Sequence, residues 1–460
     1  MKELTKNKLG ELCKLSSSKR IFESEYVKNG IPFIRGQEIS DKSILDDNAK
    51  FECYISEARY NELKEKYGVP QKGDILMTAV GTIGNLVVLN SDRPFYFKDG
   101  NVIRFSDFAE IVDSTYLSFF MKSPYFNKQI EYALIGAVQK ALTMVMLTNI
   151  EIPLPDLIEQ KRIAKVLSNI DRKISINREI NRNLEELAKQ IYDYWFVQFD
   201  FPNEEGKPYK SSGGKMVWNE ILKREIPADW KNGVLSNIAY ITMGQSPEGS
   251  SYNEDGIGTI FYQGSTDFGI RFPNVRMYTT KPTRFAKIGD ILMSVRAPVG
   301  AMNIANSDCC IGRGLSAMNS KIGSITHLYY TMDYFRHTFE NKNAVGTTFG
   351  SITKDELYNL PVVIPSKEVI SAFNVKTIYI FNQQLSTSKE IQELTALRDS
   401  LLPLLMNGQV TLNSCLFTHG ILLFVKFTIW EVKEYVTWML KCRYYKVFNH
   451  NFVNLWTMNR

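Results

Sequence analysis

The sequence predicts a mixed α/β protein built on an internal repeat, with two globular halves that are each followed by a long helix. This prediction depends on short sequence matches that recur in one order, on a helix-start signal after each half, and on core positions spaced seven apart in each helix.

The repeat is visible as matches at nearly constant offsets. Gly73-Asp74-Ile75-Leu76-Met77 recurs 216 positions later as Gly289-Asp290-Ile291-Leu292-Met293. Residues 136–143 (GAVQKALT) align with 346–353 (GTTFGSIT) at an offset of 210, and residues 31–36 resemble 259–264. Most other residues differ between the halves. Two halves that share a few segments but differ in most other residues predict two globular domains of one fold that recognise two different targets.

A helix-start signal follows each half. Pro153 and Pro155 end an extended segment, and Asp156 stands three residues before Glu159, as in a capping box. Ser366 is the matching cap in the second half. The sequence therefore predicts a long helix after each cap.

Core positions in both helices repeat every seven residues, which predicts helices that pair along their length. The two series, which map onto each other at an offset of 210, are Ile163, Ile170, Asn177, Leu184 and Ile191, and Phe373, Ile380, Thr387, Leu394 and Leu401. We expect the second seam of the first helix at Val166, Ile180, Leu187 and Tyr194, with Lys173 as an exception. The corresponding seam of the second helix is weaker, at Lys376, Gln383 and Glu390.

The middle core position is polar in both helices. Antiparallel pairing would bring Asn177 and Thr387 together, and a buried polar pair fixes register at a cost in stability. Alternatively, Asn177 lies at an exposed edge. Each helix spans about 38 residues, roughly 57 Å at about 1.5 Å per residue, so a paired rod could act as a ruler. Such rods also serve plain dimerisation, and the duplication favours the intramolecular pair.

Charge and residue counts limit the chemistry of the chain. The formal net charge is +6, and residues 411–460 account for +4 of it, so bulk charge does not indicate a nucleic-acid partner. The 6 Cys residues form no C-x-x-C pair and only 4 His residues are present, so we expect no metal site and no histidine-based catalysis. With no signal peptide and no membrane segment expected, the sequence predicts a cytoplasmic protein.

Three further segments complete a recognisable pattern: IPLPDLIEQKRIAKVLSNIDRKI after the first half, the linker EIPADW, and LLPLLMNGQV at the end of the second half and its helix. This pattern resembles the specificity subunit of a type I restriction–modification system, over about residues 1–410. The resemblance implies domains at 1–152 (target recognition domain 1), 153–200 (central helix), 201–232 (linker), 233–364 (target recognition domain 2) and 365–408 (C-terminal helix). Residues 409–460 form a tail outside the family pattern, which we expect to be poorly ordered.

The resemblance also implies a function without catalysis. Each recognition domain would read one half of a split double-stranded DNA site, and the helices would form an antiparallel coiled coil that sets the gap. Two methyltransferase subunits would dock on the chain, and restriction subunits would join that complex. S-adenosylmethionine, ATP and Mg would belong to those partners. The alternatives are a coiled-coil DNA-binding scaffold without sequence specificity and a stand-alone restriction or modification enzyme.

Departures and missing motifs bear on these alternatives. The first half lacks the Ile-Pro-x-x-Trp lead-in found at 226–230, and Val369-Ile370 stands where the first half has Glu159-Gln160. The sequence has neither an Asn/Asp-Pro-Pro-aromatic motif nor a Walker loop, which opposes the enzyme alternative. Asp156, Glu159 and Lys161 imitate a nuclease signature, but they would lie in one helical turn, and capping explains them better.

Base readout requires Arg, Lys, Asn and Gln on exposed loops. In the first half the candidate DNA-binding residues are Arg35, Gln37, Arg93 and Lys98, with Arg104 nearby. In the second half they are Gln263, Arg271, Arg276, Lys281, Arg284, Arg296 and Arg313, and the stretch 271–284 interleaves cations with aromatic residues. The repeated Gly-Asp turns predict a scaffold role, because readers of different targets should differ.

Overall fold

The structure is a computed structural model that describes residues 4–46, 49–134, 142–269, 271–336, 339 and 350–410. Most of the repeated segments 136–143 and 346–353, and the tail from residue 411, lie outside the described residues. The chain divides into two compact units. The first contains the described residues up to Lys173 and from Leu394 onward, and the second contains Ile174–Glu393. Each unit therefore takes one globular half together with segments of both long helices.

The first unit places two small sheets beside short helices. Its strands are β1 Thr5–Lys8, β2 Lys14–Ser16, β3 Tyr26–Val27, β4 Ile31–Ile34, β5 Tyr54–Ile55, β6 Ile75–Thr78, β7 Leu86–Val88, β8 Tyr96–Phe97, β9 Val102–Ser106 and β10 Glu151–Leu154. Its helices are α1 Leu9–Leu12, α2 Gly36–Ser40, α3 Glu57–Tyr67, α4 Ser114–Phe120, α5 Pro124–Leu134 and α6 Met144–Thr148, before the long α7 Leu157–Tyr192. The sheet orders are β2-β9-β6-β7 and β3-β5-β4-β8, and β1 pairs with β10.

The second unit repeats this plan. After the π-helical turn Asp193–Val197, its strands are β11 Met216–Asn219, β12 Arg224–Pro227, β13 Lys231–Val234, β14 Ala239–Met243, β15 Tyr252–Asn253, β16 Thr259–Tyr262, β17 Tyr278–Thr279, β18 Phe285–Ala286, β19 Ile291–Ser294, β20 Met302–Ile304, β21 Cys309–Ile311, β22 Leu315–Ser320 and β23 Pro361–Ile364. Its helices are α8 Leu235–Ile238, α9 Ile325–Tyr334, α10 Lys354–Tyr358 and the long α11 Lys367–Met406. The sheet orders are β14-β22-β19-β20 and β15-β17-β16-β21-β18, and β13 pairs with β23.

The duplication extends to individual hydrogen bonds around the repeated Gly-Asp turns. Asp74 Oδ2 accepts from the backbone N–H of Gln71 at 2.8 Å, and Asp290 Oδ2 accepts from that of Lys287 at 2.8 Å. Gly73 has φ +90° and Gly289 has φ +89°, in the left-handed region that favours glycine. These turns lead into β6 and β19, whose residues are all buried. The predicted scaffold role of the turns is consistent with this placement.

The segment expected to be a linker, 201–232, packs as part of the second unit. Phe201 stacks on Trp230 with ring centroids 4.8 Å apart and on Tyr209 at 4.7 Å. Phe201, Ile226 and Trp230 belong to the main hydrophobic core cluster of this unit. The β11–β12 hairpin lies within the same segment. Aromatic burial of this kind stabilises a fixed conformation for these residues.

The predicted caps begin the long helices. Asp156 Oδ1 accepts a hydrogen bond from the N–H of Glu159 at 2.8 Å, and Ser366 Oγ accepts one from the N–H of Val369 at 3.4 Å. Helix α7 then runs for 36 residues and α11 for 40. Capping satisfies N–H groups that have no partner inside the helix.

The first predicted heptad series lies on the paired faces, but the predicted second seam of α7 is wrong. Val166 is buried, whereas Ile180, Leu187 and Tyr194 are 37%, 46% and 40% exposed. The buried second series comes four residues after the first rather than three: Leu167, Ile174, Ala188 and Trp195, with the partly buried Asn181 between them. The corresponding second series of α11 contains the buried Thr377, Gln384 and Leu405. The seam therefore accepts small and polar residues that an apolar pattern search passes over.

Polar side chains fill the middle of this seam within the second unit. Asn177 is 1% exposed and Thr387 is 5% exposed, so Asn177 does not lie at an exposed edge. They do not pair with each other: Asn177 Nδ2 donates to Glu390 Oε2 at 2.8 Å, and the Thr387 hydroxyl donates to Asn181 Oδ1. Because the residue numbers of the bonded partners rise along α7 as they fall along α11, these helix segments are antiparallel.

The helices in the described part of the chain include none with the length and apolar character of a membrane-spanning segment.

Candidate nucleic-acid interface

In the first unit, two adjacent parallel strands end beside each other and carry predicted residues. β4 and β8 pair in parallel, with Ile34 opposite Phe97. Arg35 and Lys98 are the next residues, and the N–H of Lys98 donates to the carbonyl of Ile34 at 2.8 Å. Gln37 is exposed in the first turn of α2. The structure therefore brings Arg35, Gln37 and Lys98 to one edge of the sheet.

The second unit repeats this edge with different side chains. β16 and β21 pair in parallel with Tyr262 opposite Ile311, and the N–H of Gly312 donates to the carbonyl of Tyr262 at 2.8 Å. Gln263 follows β16 as Arg35 follows β4. A Cβ on Gly312 would lie 2.9 Å from Cα of Gln263, and one on Gly314 would lie 2.7 Å from its carbonyl oxygen. Glycine is thus required where the two strand ends approach.

A cleft of about 210 Å³ opens at this edge of the second unit. It is lined by Ser246, Gln263, Gly264, Ser265, Thr266, Ser294, Arg296, Ala297, Arg313 and Gly314. Gln263, Arg296 and Arg313, all predicted from the sequence, meet here and are exposed. Within the described part of the chain neither guanidinium forms an ion pair. Arginine and glutamine can form bidentate hydrogen bonds with guanine and adenine edges, respectively.

The corresponding edge of the first unit is less cationic. Arg35 Nη2 contacts Glu52 at 2.7 Å and Glu38 at 3.3 Å. The hydrogen bond with Glu52 raises the pKa of Arg35, although burial lowers it. Three uncharged side chains of the first unit form a hydrogen-bonded group: Asn85 Nδ2 donates to Ser40 Oγ at 2.9 Å, and Ser40 Oγ lies 3.1 Å from Thr82 Oγ1. Sequence reasoning missed this group, although its position soon after the repeated strand β6 is a usable signal.

Two arginines of the first half instead hold loops together. Arg93 donates to the carbonyl oxygens of Asp46 at 3.0 Å and Ala49 at 3.4 Å, and it lies over the Phe51 ring at 5.2 Å. Arg104 Nε lies 2.7 Å from Asp74 Oδ2, with both side chains largely buried. These contacts give each arginine a packing role in the fold.

The cation-rich stretch 271–284 does not form one surface. Arg276 pairs with the buried Asp267 at 3.0 Å, and Lys281 pairs with Glu248 at 2.7 Å. Arg284 is exposed. None of these three lines the cleft.

Arg271 departs most from expectation. We expected an exposed loop residue, but Arg271 is 6% exposed and its guanidinium forms an ion pair with Glu185 of α7. Burial lowers its pKa, whereas the nearby Tyr329, Glu185 and Tyr330 raise it, and the net shift is upwards. The aromatic residues that alternate with cations in this stretch are partly core residues, as the buried Phe272 shows. Arg271 is therefore not accessible to a base in this structure.

The fold and the site together define a duplicated protein in which equivalent strand ends carry different polar side chains. We refer to these strand ends as the recognition edges: Arg35, Gln37 and Lys98 in the first unit, and Gln263, Arg296 and Arg313 in the second. The family model of the type I restriction modification DNA specificity domain matches residues 1–186 and 227–396. The putative type I restriction enzyme MjaX specificity subunit of Methanocaldococcus jannaschii is 31% identical over 395 residues, covering 84% of this chain and 89% of that protein. The chain belongs to the family of type I restriction–modification specificity subunits.

Two further comparisons agree with this family. The type I restriction enzyme HindI specificity subunit of Haemophilus influenzae is 24% identical over 436 residues, covering 79% of this chain and 92% of that protein. The crystal structure of a type I restriction–modification S subunit from M. genitalium matches with a TM-score of 0.57 at 17% identity, over 88% of this chain and 96% of that one. At that identity the likeness shows the fold alone.

Proposed function

We propose that the two recognition edges read the two halves of one split double-stranded DNA site. The observation that carries this proposal is a parallel strand pair that both units share. It is followed directly by Arg35 and Lys98 in the first unit, and by Gln263 and Gly312 in the second, where Arg313 comes one residue later. The two strand pairs have the same arrangement, while the side chains that follow them differ. Different hydrogen-bonding groups on equivalent edges would select different base pairs.

We propose that the paired helices set the spacer and dock two methyltransferase subunits, which restriction subunits then join. Ile176, Ile180 and Leu187 support the docking role, because spacings of four and seven place them on one face of α7. They are 42%, 37% and 46% exposed, on a face other than the buried seam. Exposed apolar residues of this kind are typical of a protein–protein interface.

We further propose that this chain is a non-catalytic cytoplasmic subunit, and that S-adenosylmethionine, ATP and Mg are held by its partners. Among the described residues, no group of three or more His, Cys, Asp or Glu side chains could hold a metal ion. A scaffold without sequence specificity would not need two unlike recognition edges. It would bind every duplex with the same affinity, which a binding assay distinguishes.

Exchange of residues 233–364 for the corresponding domain of a relative tests the two-reader proposal. The chimera, assembled with its methyltransferase subunits, should change the methylated sequence in one half of the site only. Mapping of methylated adenines provides the measurement. Exchange of residues 1–152 is the matched control and should change the other half. A change in both halves after either exchange would contradict the proposal.

A length change tests the ruler. One heptad inserted into each long helix, at paired positions, should widen the spacer and leave both half-sites unchanged. A heptad inserted into α7 alone is the control, because it leaves the added residues without a partner. An unchanged spacer after the paired insertion would refute the ruler.

A further inference from the structure

Arg271 lies in a pinned loop of the second unit. The backbone N–H of Gly269 donates to Asn303 Oδ1 at 3.0 Å, and Asn303 Nδ2 donates back to the Gly269 carbonyl at 3.0 Å. The N–H of Ile304, in β20, donates to the carbonyl of Arg271 at 2.8 Å. The loop is therefore attached to the sheet at Gly269 and at Arg271. It follows Gly264, Ser265 and Thr266 of the cleft wall.

The side chain of Arg271 leaves this loop and reaches the helix pair. Its Nη1 contacts Glu185 Oε2, and the same oxygen accepts a hydrogen bond from Gln384 Nε2 of α11 at 2.9 Å. Tyr330 Oη donates to the Glu185 carbonyl at 3.3 Å. A single residue, Glu185, thus joins the recognition loop, both long helices and α9.

The contact with Glu185 stabilises the buried charge of Arg271. Its guanidinium carbon lies 4.4 Å from the centre of the Tyr329 ring and 5.9 Å from that of Phe381. Its Nε and Nη2 atoms are buried and make no hydrogen bond to any described residue. A buried cation that loses its carboxylate is strongly destabilised, so the loop and helices should keep one arrangement.

We propose that Arg271 is a positioning residue that fixes the orientation of the second recognition edge on the paired helices. This inference rests on the proposed function. It predicts that loss of Arg271 relaxes the spacing tolerated between the half-sites while the bases read in each half stay the same. If Arg271 instead read a base, its loss would change the bases preferred in one half-site and leave the tolerated spacing the same.

The chain offers a matched control. Lys189 Nζ pairs with Asp333 Oδ2 at 2.8 Å, so this ion pair also joins α7 to the globular part of the second unit. The Lys189 side chain is 45% exposed, compared with 7% for Arg271. Solvent-exposed ion pairs contribute little, so Lys189→Met should change spacing tolerance by less than about twofold.

The experiment uses the full complex and a DNA library in which both half-sites are fixed and the spacer varies. For Arg271→Met, the ratio of methylation at spacers one base pair off to that at the preferred spacer should rise about tenfold or more. Glu185→Gln should do at least as much, because it leaves the buried cation unpaired. The double variant should be no worse than Glu185→Gln alone. Unchanged tolerance, or a changed base preference in the half read by residues 233–364, would overturn the proposal.

Amide hydrogen exchange on the free chain gives a second, independent readout. Arg271→Met should speed exchange in residues 264–277 and 180–188 together by about tenfold, and Lys189→Met should not. Arg271→Lys, which keeps the charge, should be intermediate and serves if the Met variant does not fold. If the wild-type complex methylates no split site, the proposed function fails, and the exchange rates still decide whether Arg271 anchors the loop. Equal rates in wild type and Arg271→Met would refute the anchor.

Discussion

Asn181 of α7 donates a hydrogen bond from Nδ2 to Ser388 Oγ of α11 at 2.8 Å, while its Oδ1 accepts from the Thr387 hydroxyl. One amide therefore uses both ends across the seam. Asn181→Ala should destabilise the chain by about 1–3 kcal/mol, because Ser388 and the buried Thr387 lose a partner. Urea unfolding measures this difference.

Asn183→Ala is the control for that variant, because Asn183 is an exposed asparagine in the same helix. Both changes alter helix propensity equally, so the control isolates the seam contact. Equal unfolding midpoints for the two variants would show that the Asn181 hydrogen bonds contribute nothing.

The cleft residues should affect one half-site only. If Gln263 and Arg296 contact base edges as proposed, Gln263→Ala or Arg296→Ala should relax recognition at a position in the half-site assigned to the second unit, at a cost of about 1–3 kcal/mol. Methylation of single-substitution site libraries provides the measurement. Arg336→Ala, which removes an arginine paired with Asp333, should leave the profile unchanged. Relaxation in the other half-site would count against the assigned edge.

The exposed apolar face of α7 should affect assembly rather than folding. Ile180→Ser with Leu187→Ser should lower the affinity for the methyltransferase subunit about tenfold or more, because apolar area is lost from the interface. Titration calorimetry of the purified subunits gives the affinity. Ile257→Ser with Ile288→Ser, exposed isoleucines outside the helices, is the matched control. A similar loss of affinity in both double variants would contradict docking on α7.

His327 should make the second unit sensitive to acid. It is 2% exposed, with its ring 4.5 Å from that of Phe196, and burial lowers its pKa from 6.5 to about 3. The unfolded state then binds the proton more readily, so stability is complete above about pH 6.5 and falls as the pH decreases towards 3. At pH 5 the loss from this group is about 2 kcal/mol.

His327→Phe removes that titration and keeps an aromatic ring among Tyr192, Phe196 and Phe373. The difference in unfolding free energy between pH 7.5 and pH 5 should therefore be about 2 kcal/mol smaller in the variant. Identical pH dependence in the variant and the wild type would mean that His327 is not buried in its neutral form.

The repeat could be predicted because the two halves share short similar segments, and the caps and the first heptad series could be predicted because they depend on local sequence. The second seam could not, because both Leu187 and Ala188 suit a helix and the choice depends on the partner. On α11, Gln384 and Thr387 bond to Glu185 and Asn181 of α7. Ala188 is buried in the core cluster that contains Ile380 and Phe381, while Leu187 is 46% exposed. Hydrophobicity alone selects the wrong neighbour in such a case.

The recognition residues divide for a related reason. Gln263 and Arg313 were predicted from residue type, and the structure places both beside the ends of two parallel strands, while their contact with DNA stays a prediction. Arg271 is an arginine like Arg313 and lies in a cation-rich loop, yet it is buried against Glu185. Its partner lies 86 positions away in sequence, and nothing local marks that contact. Residue type shows which contacts a side chain can make, but the tertiary fold determines whether that side chain is exposed to DNA or buried against another residue.

Each globular head begins and ends at the same place, because β1 pairs with β10 and β13 pairs with β23, with Lys8 opposite Glu151 and Val234 opposite Pro361. A head is thus a cassette whose two attachment points are adjacent strands. Recombination between genes within those strands could replace an entire head and leave both helices at their original length. New recognition could therefore arise in one genetic exchange, without further adjustment of the assembly.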